Sequence, residues 1–338
     1  MAELAYPMHG LVVTRTPLRI SFAGGGTDLA AFYERDYGAV LSSAVDRYVY
    51  VTVKRHGPVF DEKIRLNYST SESVGEIDAI RNDIARECLR MLEVEPPIYV
   101  SIVSDLPDSS GLGGSSCFAV GLLNALHTYK GERVSAGQLA EEAAHVEIDI
   151  LGQPIGKQDQ YAAAFGGMNL LHFQANGDVT VDPIRVSTEN RRALFDRILL
   201  IWTGHQRRAA SVLNAQRAET QDHLDDLIRM REQALALKAL MTSDQFDAAR
   251  FGAILDEGWR MKRRLTSAVS NEHIDAWYEC AMQTGALGGK LCGAGGGGFL
   301  MFLAEPERHA PITDALGLPM VELGHEANGS RVILAERG

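Results

Sequence analysis

The order of apolar and polar positions divides the chain into segments with different predicted structures. In the first half, runs rich in valine, isoleucine and tyrosine predict strands over residues 11–16, 19–23, 40–44, 48–54 and 98–103. Apolar residues at helical spacing predict helices over residues 77–93, 117–129 and 135–151. The first half therefore mixes strands and helices, which indicates an α and β domain.

The second half has a different pattern. A strand over residues 198–202 precedes a long helical stretch over 209–240, and the rest of the pattern predicts helices over 251–265 and 274–284 and strands over 290–292, 299–303 and 332–335. Pro183 and a charged segment interrupt the pattern near residues 185–197. We therefore predict two domains, residues 1–190 and 191–338.

Composition restricts the classes of function. The 338 residues are 46% hydrophobic and 23% charged, which is typical of a globular protein, and the net charge of −11 argues against a nucleic-acid partner. The chain shows neither a signal-peptide pattern nor an apolar run near the roughly 18 residues that span a bilayer. Its four cysteines are far apart, which fits a reducing compartment. We expect a cytoplasmic enzyme with no membrane partner.

The strongest chemical motif is residues 107–116, which read Pro-Asp-Ser-Ser-Gly-Leu-Gly-Gly-Ser-Ser between a predicted strand and a predicted helix. Glycines allow backbone N–H groups to turn toward an anion, and the following helix presents its unpaired N–H groups. The serines can cap that helix, bind phosphate oxygens or ligate Mg²⁺. The motif lacks the lysine of a Walker A loop. A surface turn with a serine cap stays the open alternative.

A second glycine run, residues 293–298, lies between two predicted strands. Glycines weaken strands, so close approach to a ligand or another loop explains the run better than a tight hairpin does. Glu147 follows an alanine-lined helix face, where a buried carboxylate would need a partner such as Mg²⁺. The alternative is a helix-end glutamate that faces solvent.

Three further polar groups are candidates for chemistry. Asp159 follows Lys157 closely, and a nearby ammonium would keep this carboxylate ionised as a base for a hydroxyl group. Arg19 and Asp28 flank the first glycine turn, where they suit phosphate charge and sugar hydroxyls. The alternatives are a helix-capping aspartate and an ordinary salt bridge at a strand end.

Together these motifs resemble the GHMP kinases in the family's order, over nearly the whole chain. Residues 16–28 resemble the substrate motif, 107–116 the phosphate loop and 293–298 the C-terminal glycine motif. Within the family, residues 15–28, 156–167 and 258–262 running on to 290–302 are most similar to kinases of D-glycero-D-manno-heptose 7-phosphate. The resemblance implies an α+β fold with an N-terminal ribosomal-S5-like α/β domain and a C-terminal ferredoxin-like domain.

The resemblance also implies site residues, with ATP and Mg²⁺ as cofactors. The implied ATP-binding residues are Pro107, Ser109, Ser110, Gly111, Leu112, Gly113, Gly114, Ser115 and Ser116. The implied catalytic residues are Asp159 and Arg19, to which the nearby Lys157 is added as a second cation. The candidate substrate-binding residues are Gly25, Gly26, Thr27, Asp28, Arg207, Gly295 and Gly296. Ser115 and Glu147 would ligate Mg²⁺. Gly114 replaces the family's usual first serine, so Ser116 stays an alternative to Ser115.

The implied reaction is ATP-dependent phosphorylation of the anomeric 1-hydroxyl of D-glycero-D-manno-heptose 7-phosphate, feeding nucleotide-activated heptose synthesis for surface polysaccharide. The implied partners are ATP and a sugar phosphate. Arg207, with Arg208 beside it, is the candidate cation for the acceptor's own phosphate. Two alternatives stay open, a kinase for an unphosphorylated sugar of the fucose or galactose type and a catalytically silent sugar sensor. A homodimer also stays open.

Overall fold

The computed structural model describes residues 9–57, 59–206, 212–215, 219 and 223–337, and its strands form two sheets. The strands are β1 (Leu11–Ala23), β2 (Gly38–Arg55), β3 (Ile64–Asn67), β4 (Ser71–Val74), β5 (Ile98–Ser104), β6 (Met168–Phe173), β7 (Val179–Pro183), β8 (Ile198–Trp202), β9 (Gly288–Leu291), β10 (Phe299–Leu303), β11 (Met320–Val321) and β12 (Arg331–Glu336). Strands β8 to β11 form the smaller sheet and the others form the larger one.

The larger sheet follows the order β12-β1-β2-β5-β3-β4, and β6 pairs with both β2 and β7. Strand β2 is long enough to pair with β6 in its first part and with β5 in its last part. The predicted strands over 11–16 and 19–23 are one strand, β1, and those over 40–44 and 48–54 are likewise one strand, β2. The smaller sheet is antiparallel in the order β11-β8-β10-β9.

The last strand does not belong to the smaller sheet. Strand β12 pairs antiparallel with β1, so the chain returns to the larger sheet after completing the smaller one. The predicted domain boundary at residue 190 stays a prediction. Residues 331–336, however, pair with the sheet that is formed mainly by the first half of the chain. The two ends of the second unit are therefore both anchored in the larger sheet.

Several of the described helices begin at a residue whose side chain caps them. They are α1 (Ala30–Tyr33), α2 (Asp83–Met91), α3 (Gly114–Lys130), α4 (Ala136–Ala144), α5 (Gln158–Phe165), α6 (Thr188–Phe195), α7 (Leu224–Met241), α8 (Ala248–Leu265), α9 (Glu272–Thr284) and α10 (Pro306–Leu316). The side chains of Ser135, Asp247 and Asn271 accept the backbone N–H three residues later, which satisfies one orphan donor of each helix.

Two predicted helices differ from the structure. The helix predicted over 77–93 is a short 3₁₀ turn, Ile77–Ala79, followed by α2. The helix predicted over 135–151 continues beyond α4 as a π-helical turn, His145–Ile150. The stretch predicted over 209–240 includes residues outside the described ranges, and α7 covers its last part.

One apolar core connects the two sheets, and the junction where the phosphate loop meets the second unit is called the cleft below. Helix α3 packs on β1 and β2, and α8 packs on β9. The ring of Phe22, near the end of β1, meets the ring of Phe251 on α8 edge-on at 5.5 Å between centroids. This contact holds the end of β1 against the second unit. Within the described ranges, no helix is both long enough and apolar enough to cross a membrane.

Candidate active site

The loop over residues 107–116 connects β5 to α3 and forms one wall of the cleft. Gly113 is the N-terminal cap of α3 with φ of 78°, and Gly114, Ser115 and Ser116 form the first helical turn. The backbone N–H groups of a first turn have no acceptor within the helix, and the helix dipole is positive there. The loop therefore presents a helix end that is suited to an anion.

The second glycine run packs directly against this loop. A Cβ on Gly111 would lie 2.5 Å from the Cys292 carbonyl oxygen, and a Cβ on Gly298 would lie 2.4 Å from the Ser110 carbonyl oxygen. The backbone N–H of Phe299 also donates to the Ser110 carbonyl at 3.1 Å. Glycines are thus required because the two backbones touch. The loop from the second unit fixes the shape of the loop from the first.

Glu147 lies in the π-helical turn and reaches the first turn of α3. Its carboxylate accepts the Ser115 hydroxyl and the Gln160 side-chain amide, both at 2.6 Å, and also hydrogen-bonds with Ser116. The residue is only 1% exposed, and burial raises the pKa of its carboxyl above the ordinary value despite these hydrogen bonds. Within the described residues, no cation lies within ion-pair distance of this carboxylate.

These oxygen donors fit Mg²⁺, which prefers carboxylate and hydroxyl oxygens and usually keeps water and phosphate ligands. Ser115 is exposed to the cleft, whereas Ser116 is buried, so Ser115 is the more accessible hydroxyl. A divalent cation held by Ser115 and Glu147 would supply the missing partner for the buried carboxylate.

Arg19 and Asp159 form an ion pair at the base of the cleft. The Nε and Nη2 atoms of Arg19 lie 2.7 and 2.6 Å from Oδ1 of Asp159, and Nη1 donates to the Gly111 carbonyl at 2.7 Å. The other carboxylate oxygen, Oδ2, lies 3.4 Å from where a Cβ on Gly113 would be. Strand β1, helix α5 and the phosphate loop thus meet at one carboxylate.

A polar pocket adjoins this pair at the first glycine turn. The Asp28 carboxylate accepts the backbone N–H of Gly26 at 2.9 Å and the side-chain amide of Gln158 at 3.0 Å, and burial raises the pKa of Asp28. In the described structure, the buried Ser21 Oγ and Gln158 Oε1 have no hydrogen-bond partner. Ser21 Oγ and the Gln158 amide nitrogen each lie 3.8 Å from a Cβ position on Gly25. These unpaired polar atoms are suited to hydrogen bonds with hydroxyl groups.

Two lysines lie behind the second glycine run. The ammonium of Lys290 donates to the carbonyls of Ser21 and Phe22 at 2.7 and 3.2 Å, and that of Lys262 donates to the Gly293 carbonyl. Burial lowers the pKa of Lys290 to about 8 and that of Lys262 to about 7, where the neighbouring Lys290 contributes as well. Both ammonium groups are therefore held in a place where water cannot solvate them.

The structure does not bring every predicted residue into the cleft. The Lys157 ammonium donates to the Gly177 carbonyl at 2.7 Å and makes no ion pair with Asp159 among the described residues, so its catalytic role stays a prediction. Thr27 is buried under the glycine turn, where its hydroxyl bonds Gly24.

The remaining predicted substrate contacts are also accounted for. Gly295 and Gly296 pack on Val269, whose carbonyl accepts the Gly296 N–H at 2.8 Å, so that donor is already satisfied. The side chain of Leu112 is fully buried, which leaves only its backbone for ATP. Arg207 and Arg208 lie outside the described residues.

Four side chains of the cleft were not predicted, and two of them carried a signal. Ser21 is two residues after Arg19 on β1, and alternate residues of a strand share a face. Lys262 continues the stripe of Leu255 and Trp259 on α8, so a lysine stands where the spacing demands an apolar residue. Gln158 and Lys290 had no comparable signal, because their position depends on the packing of the two units.

Comparisons with known proteins cover both halves of the chain. Residues 79–167 match the family model of the GHMP kinases N terminal domain, and residues 236–316 match that of the GHMP kinases C terminal. The chain is 31% identical over 314 residues to a D-glycero-alpha-D-manno-heptose 7-phosphate kinase of Campylobacter jejuni, covering 90% of this chain and 92% of the relative.

A more distant relative and a solved structure also match most of the chain. A galactokinase of Pyrococcus furiosus is 24% identical over 341 residues, with 90% and 92% covered. The crystal structure of a D-glycero-D-manno-heptose 1-phosphate kinase from Bacteroides thetaiotaomicron superposes with a TM-score of 0.78 at 24% identity, covering 96% of this chain and 99% of that one. At this identity the superposition shows a shared fold.

Proposed function

The chain belongs to the GHMP kinase family and is an ATP-dependent sugar kinase, and we propose that it phosphorylates the 1-hydroxyl of D-glycero-D-manno-heptose 7-phosphate. The products would be the heptose 1,7-bisphosphate and ADP. The choice of acceptor is supported by the 31% identity to the Campylobacter jejuni heptose 7-phosphate kinase over nine-tenths of the chain.

The Arg19–Asp159 pair is the observation that carries the proposed chemistry. It lies between the phosphate loop, through Gly111 and Gly113, and the polar pocket at Asp28. Both nitrogens of Arg19 that bind the carboxylate use Oδ1, so Oδ2 is left to accept a proton from the acceptor hydroxyl. The arginine keeps Asp159 oriented and places positive charge beside the transferred group.

In the proposed reaction, the anomeric oxygen attacks the γ-phosphorus of ATP in line, forming a new O–P bond while the bond to the β-phosphate oxygen breaks. The hydroxyl proton passes to Asp159 Oδ2, and ADP takes the electron pair of the broken bond. Glu147 and Ser115 would hold Mg²⁺, which would neutralise charge on the β- and γ-phosphates when bound. Phosphoryl transfer depends mainly on positioning and charge, which these rigid elements provide.

The polar pocket supports a sugar as the acceptor. Asp28 can accept hydrogen bonds from sugar hydroxyls, and the unpaired Ser21 Oγ and Gln158 Oε1 can each pair with another. A site whose buried polar groups are completed only by the substrate discriminates strongly against analogues without those hydroxyls.

The proposal is tested by measuring ADP release with purified protein, ATP and Mg²⁺ against a panel of acceptors. The panel contains D-glycero-D-manno-heptose 7-phosphate, the same heptose without phosphate, galactose and fucose. We expect kcat/KM to be highest for the heptose 7-phosphate. A higher kcat/KM for galactose or fucose would contradict the proposed acceptor and favour a kinase of unphosphorylated sugars.

Two further outcomes concern the chemistry itself. Phosphate on carbon 1 of the product, identified by ³¹P and ¹H NMR, is expected, and phosphate elsewhere would contradict the attacking hydroxyl. Sugar binding without turnover of any acceptor would indicate a silent sugar sensor. The Asp159→Asn variant serves as the control, because it keeps the size and polarity of the side chain while removing the proton acceptor.

A further inference from the structure

Three buried cations lie where β1, α8 and the second glycine run meet. Arg19, Lys262 and Lys290 are 3%, 6% and 7% exposed. Burying an ammonium or guanidinium group is costly unless the group is paired or hydrogen-bonded. The partners of each cation therefore indicate what that cation does.

Two of the three cations are well satisfied by the protein. Arg19 has the carboxylate of Asp159, and Lys290 has two backbone carbonyls at the end of β1. Lys290 thus connects β9 to β1 and positions the strand that carries Arg19 and Ser21. An ammonium with two carbonyl acceptors and no carboxylate is a structural connection between the two sheets.

Lys262 is the least satisfied of the three. Its ammonium has three donors, and the Gly293 carbonyl is the acceptor that it contacts. In the described part of the chain, no carboxylate lies within ion-pair distance of its Nζ. The charged and titratable groups that face it are Lys290 and Arg19, which repel its charge, and Asp28 and the Cys292 thiol, which favour it. Without another anion, the ammonium is close to losing its proton at neutral pH.

The position of Lys262 indicates where the missing anion would come from. Gly293, which accepts from Lys262, packs against Gly111 of the phosphate loop, and a Cβ on Gly293 would lie 2.6 Å from the Gly111 Cα. The carboxylate of Asp28 in the polar pocket is also near enough to favour the charge of Lys262. The ammonium is therefore close both to the phosphate loop, through Gly293, and to Asp28.

We propose that Lys262 binds a phosphoryl oxygen of the bound substrates and so supplies a cation to the site from helix α8 of the second unit. This inference rests on the proposed kinase function. A phosphoryl group could come from the γ-phosphate of ATP or from the phosphate of the acceptor, and both sources offer the same anionic oxygen. A charged hydrogen bond of this kind changes affinity by about 10- to 100-fold.

The nucleotide arm of the test needs no sugar. Calorimetry measures the Kd of the Mg²⁺ complexes of ADP and of the non-hydrolysable imido analogue of ATP, with wild type, Lys262→Met and Arg260→Met. Arg260 is on the same helix, is 67% exposed in its side chain and pairs with Asp256, so its variant is the matched control. If the γ-phosphate is the source, Lys262→Met raises the Kd of the ATP analogue about 10-fold or more and leaves the Kd of ADP unchanged.

The acceptor arm compares KM for the heptose 7-phosphate with KM for the unphosphorylated heptose. If the acceptor phosphate is the source, Lys262→Met raises the first about 10-fold or more and leaves the second unchanged. Unchanged nucleotide preference and unchanged acceptor preference in Lys262→Met would together overturn the inference. A wild-type protein that binds the ATP analogue but phosphorylates no sugar would instead refute the proposed function, while the nucleotide arm would still decide the role of Lys262.

A second measurement uses the native protein, so it does not depend on the folding of a variant. An anion bound to Lys262 stabilises its charged form, so binding at pH 8 should take up a fraction of a proton. Calorimetry in buffers of different ionisation enthalpy measures this uptake for each ligand. Proton uptake that is present in wild type and Arg260→Met but lost in Lys262→Met supports the proposal. Equal uptake in all three proteins overturns it.

Discussion

The unusual position of Lys262 makes a prediction about stability that is independent of catalysis. In the unfolded chain the lysine pKa is about 10.4, and in the folded protein it is about 7. Folding at any pH below 10.4 must therefore either release a proton or bury a charge. This is the reverse of a stabilising ion pair, because the pKa of a basic group is lowered on folding.

The magnitude follows from the two pKa values. Burial of Lys262 lowers the free energy of unfolding by about 1.4 kcal/mol for each pH unit below 10.4, down to pH 7. The loss is therefore about 3 kcal/mol at pH 8 and between about 4 and 5 kcal/mol at pH 6. The Lys262→Met variant removes this cost but leaves the Gly293 carbonyl without its donor, which costs about 2 kcal/mol. The variant should be about 1 kcal/mol more stable at pH 8, and more so at pH 6.

Thermal and urea unfolding of ligand-free wild type and Lys262→Met between pH 6 and pH 9.5 measures this difference. The stabilisation should shrink as the pH rises and change sign near about pH 9, where the proton cost equals the cost of the lost hydrogen bond. Arg260→Met is again the control and should show no such pH dependence. A variant that is less stable than wild type at pH 6, or a difference that does not change with pH, would refute the reasoning.

Three other variants test other parts of the molecule. Asp159→Asn should lower kcat by about 100-fold or more in the ADP-release assay, and a near-normal rate would remove it from the mechanism. Gly111→Ala should abolish nucleotide binding by calorimetry, because its Cβ would lie 2.5 Å from the Cys292 carbonyl; Gly75→Ala, with open space around it, should bind normally. Burial lowers the pKa of His127, but hydrogen bonds to two glutamates outweigh it and raise this pKa above the ordinary value. The His127→Gln variant should therefore be about 2 kcal/mol less stable to unfolding than wild type below pH 6.5. This loss of stability should become smaller as the pH rises through the pKa of His127 in the folded protein. An equal loss at pH 9 would show that the charge of His127 is not its cause.

The sequence predicted the fold well where local patterns decide the structure. The α+β two-domain fold of the GHMP kinases is confirmed, and strands β8 and β10 have the predicted bounds. Helix α5 was not predicted, because residues 158–165 combine polar residues with a short alanine run that shows no clear helical face. Strands β3 and β4 are four residues each and were also not predicted, since such short segments give almost no periodic signal.

Some site residues could be found from local sequence, whereas others are placed only by packing between distant parts of the chain. The predicted roles of Asp159, Arg19, Asp28, Ser115 and Glu147 stay predictions, but the structure places all five around one cleft. Their residue types and their local context, a glycine motif for most of them and an alanine-lined helix face for Glu147, were readable from short stretches of sequence.

The predicted contact of Lys157 failed for a geometric reason. Neighbouring positions at a helix start face different directions, so closeness in sequence to Asp159 did not place the two side chains together. Lys262 was missed for the opposite reason, because it is about a hundred residues from Asp159 and reaches the cleft only through packing of the second unit.

Strand β12 has a consequence for how the chain acquires its shape. Because β1 pairs with β2 on one edge and with β12 on the other, the ribosome must synthesise the whole second unit before the partner of that other edge exists. Until then β1 offers a row of unpaired backbone groups, which is a template for aggregation. Once β12 is in place, the second unit is joined to the larger sheet at both of its ends, so the second glycine run reaches the phosphate loop from a segment that the larger sheet holds on either side.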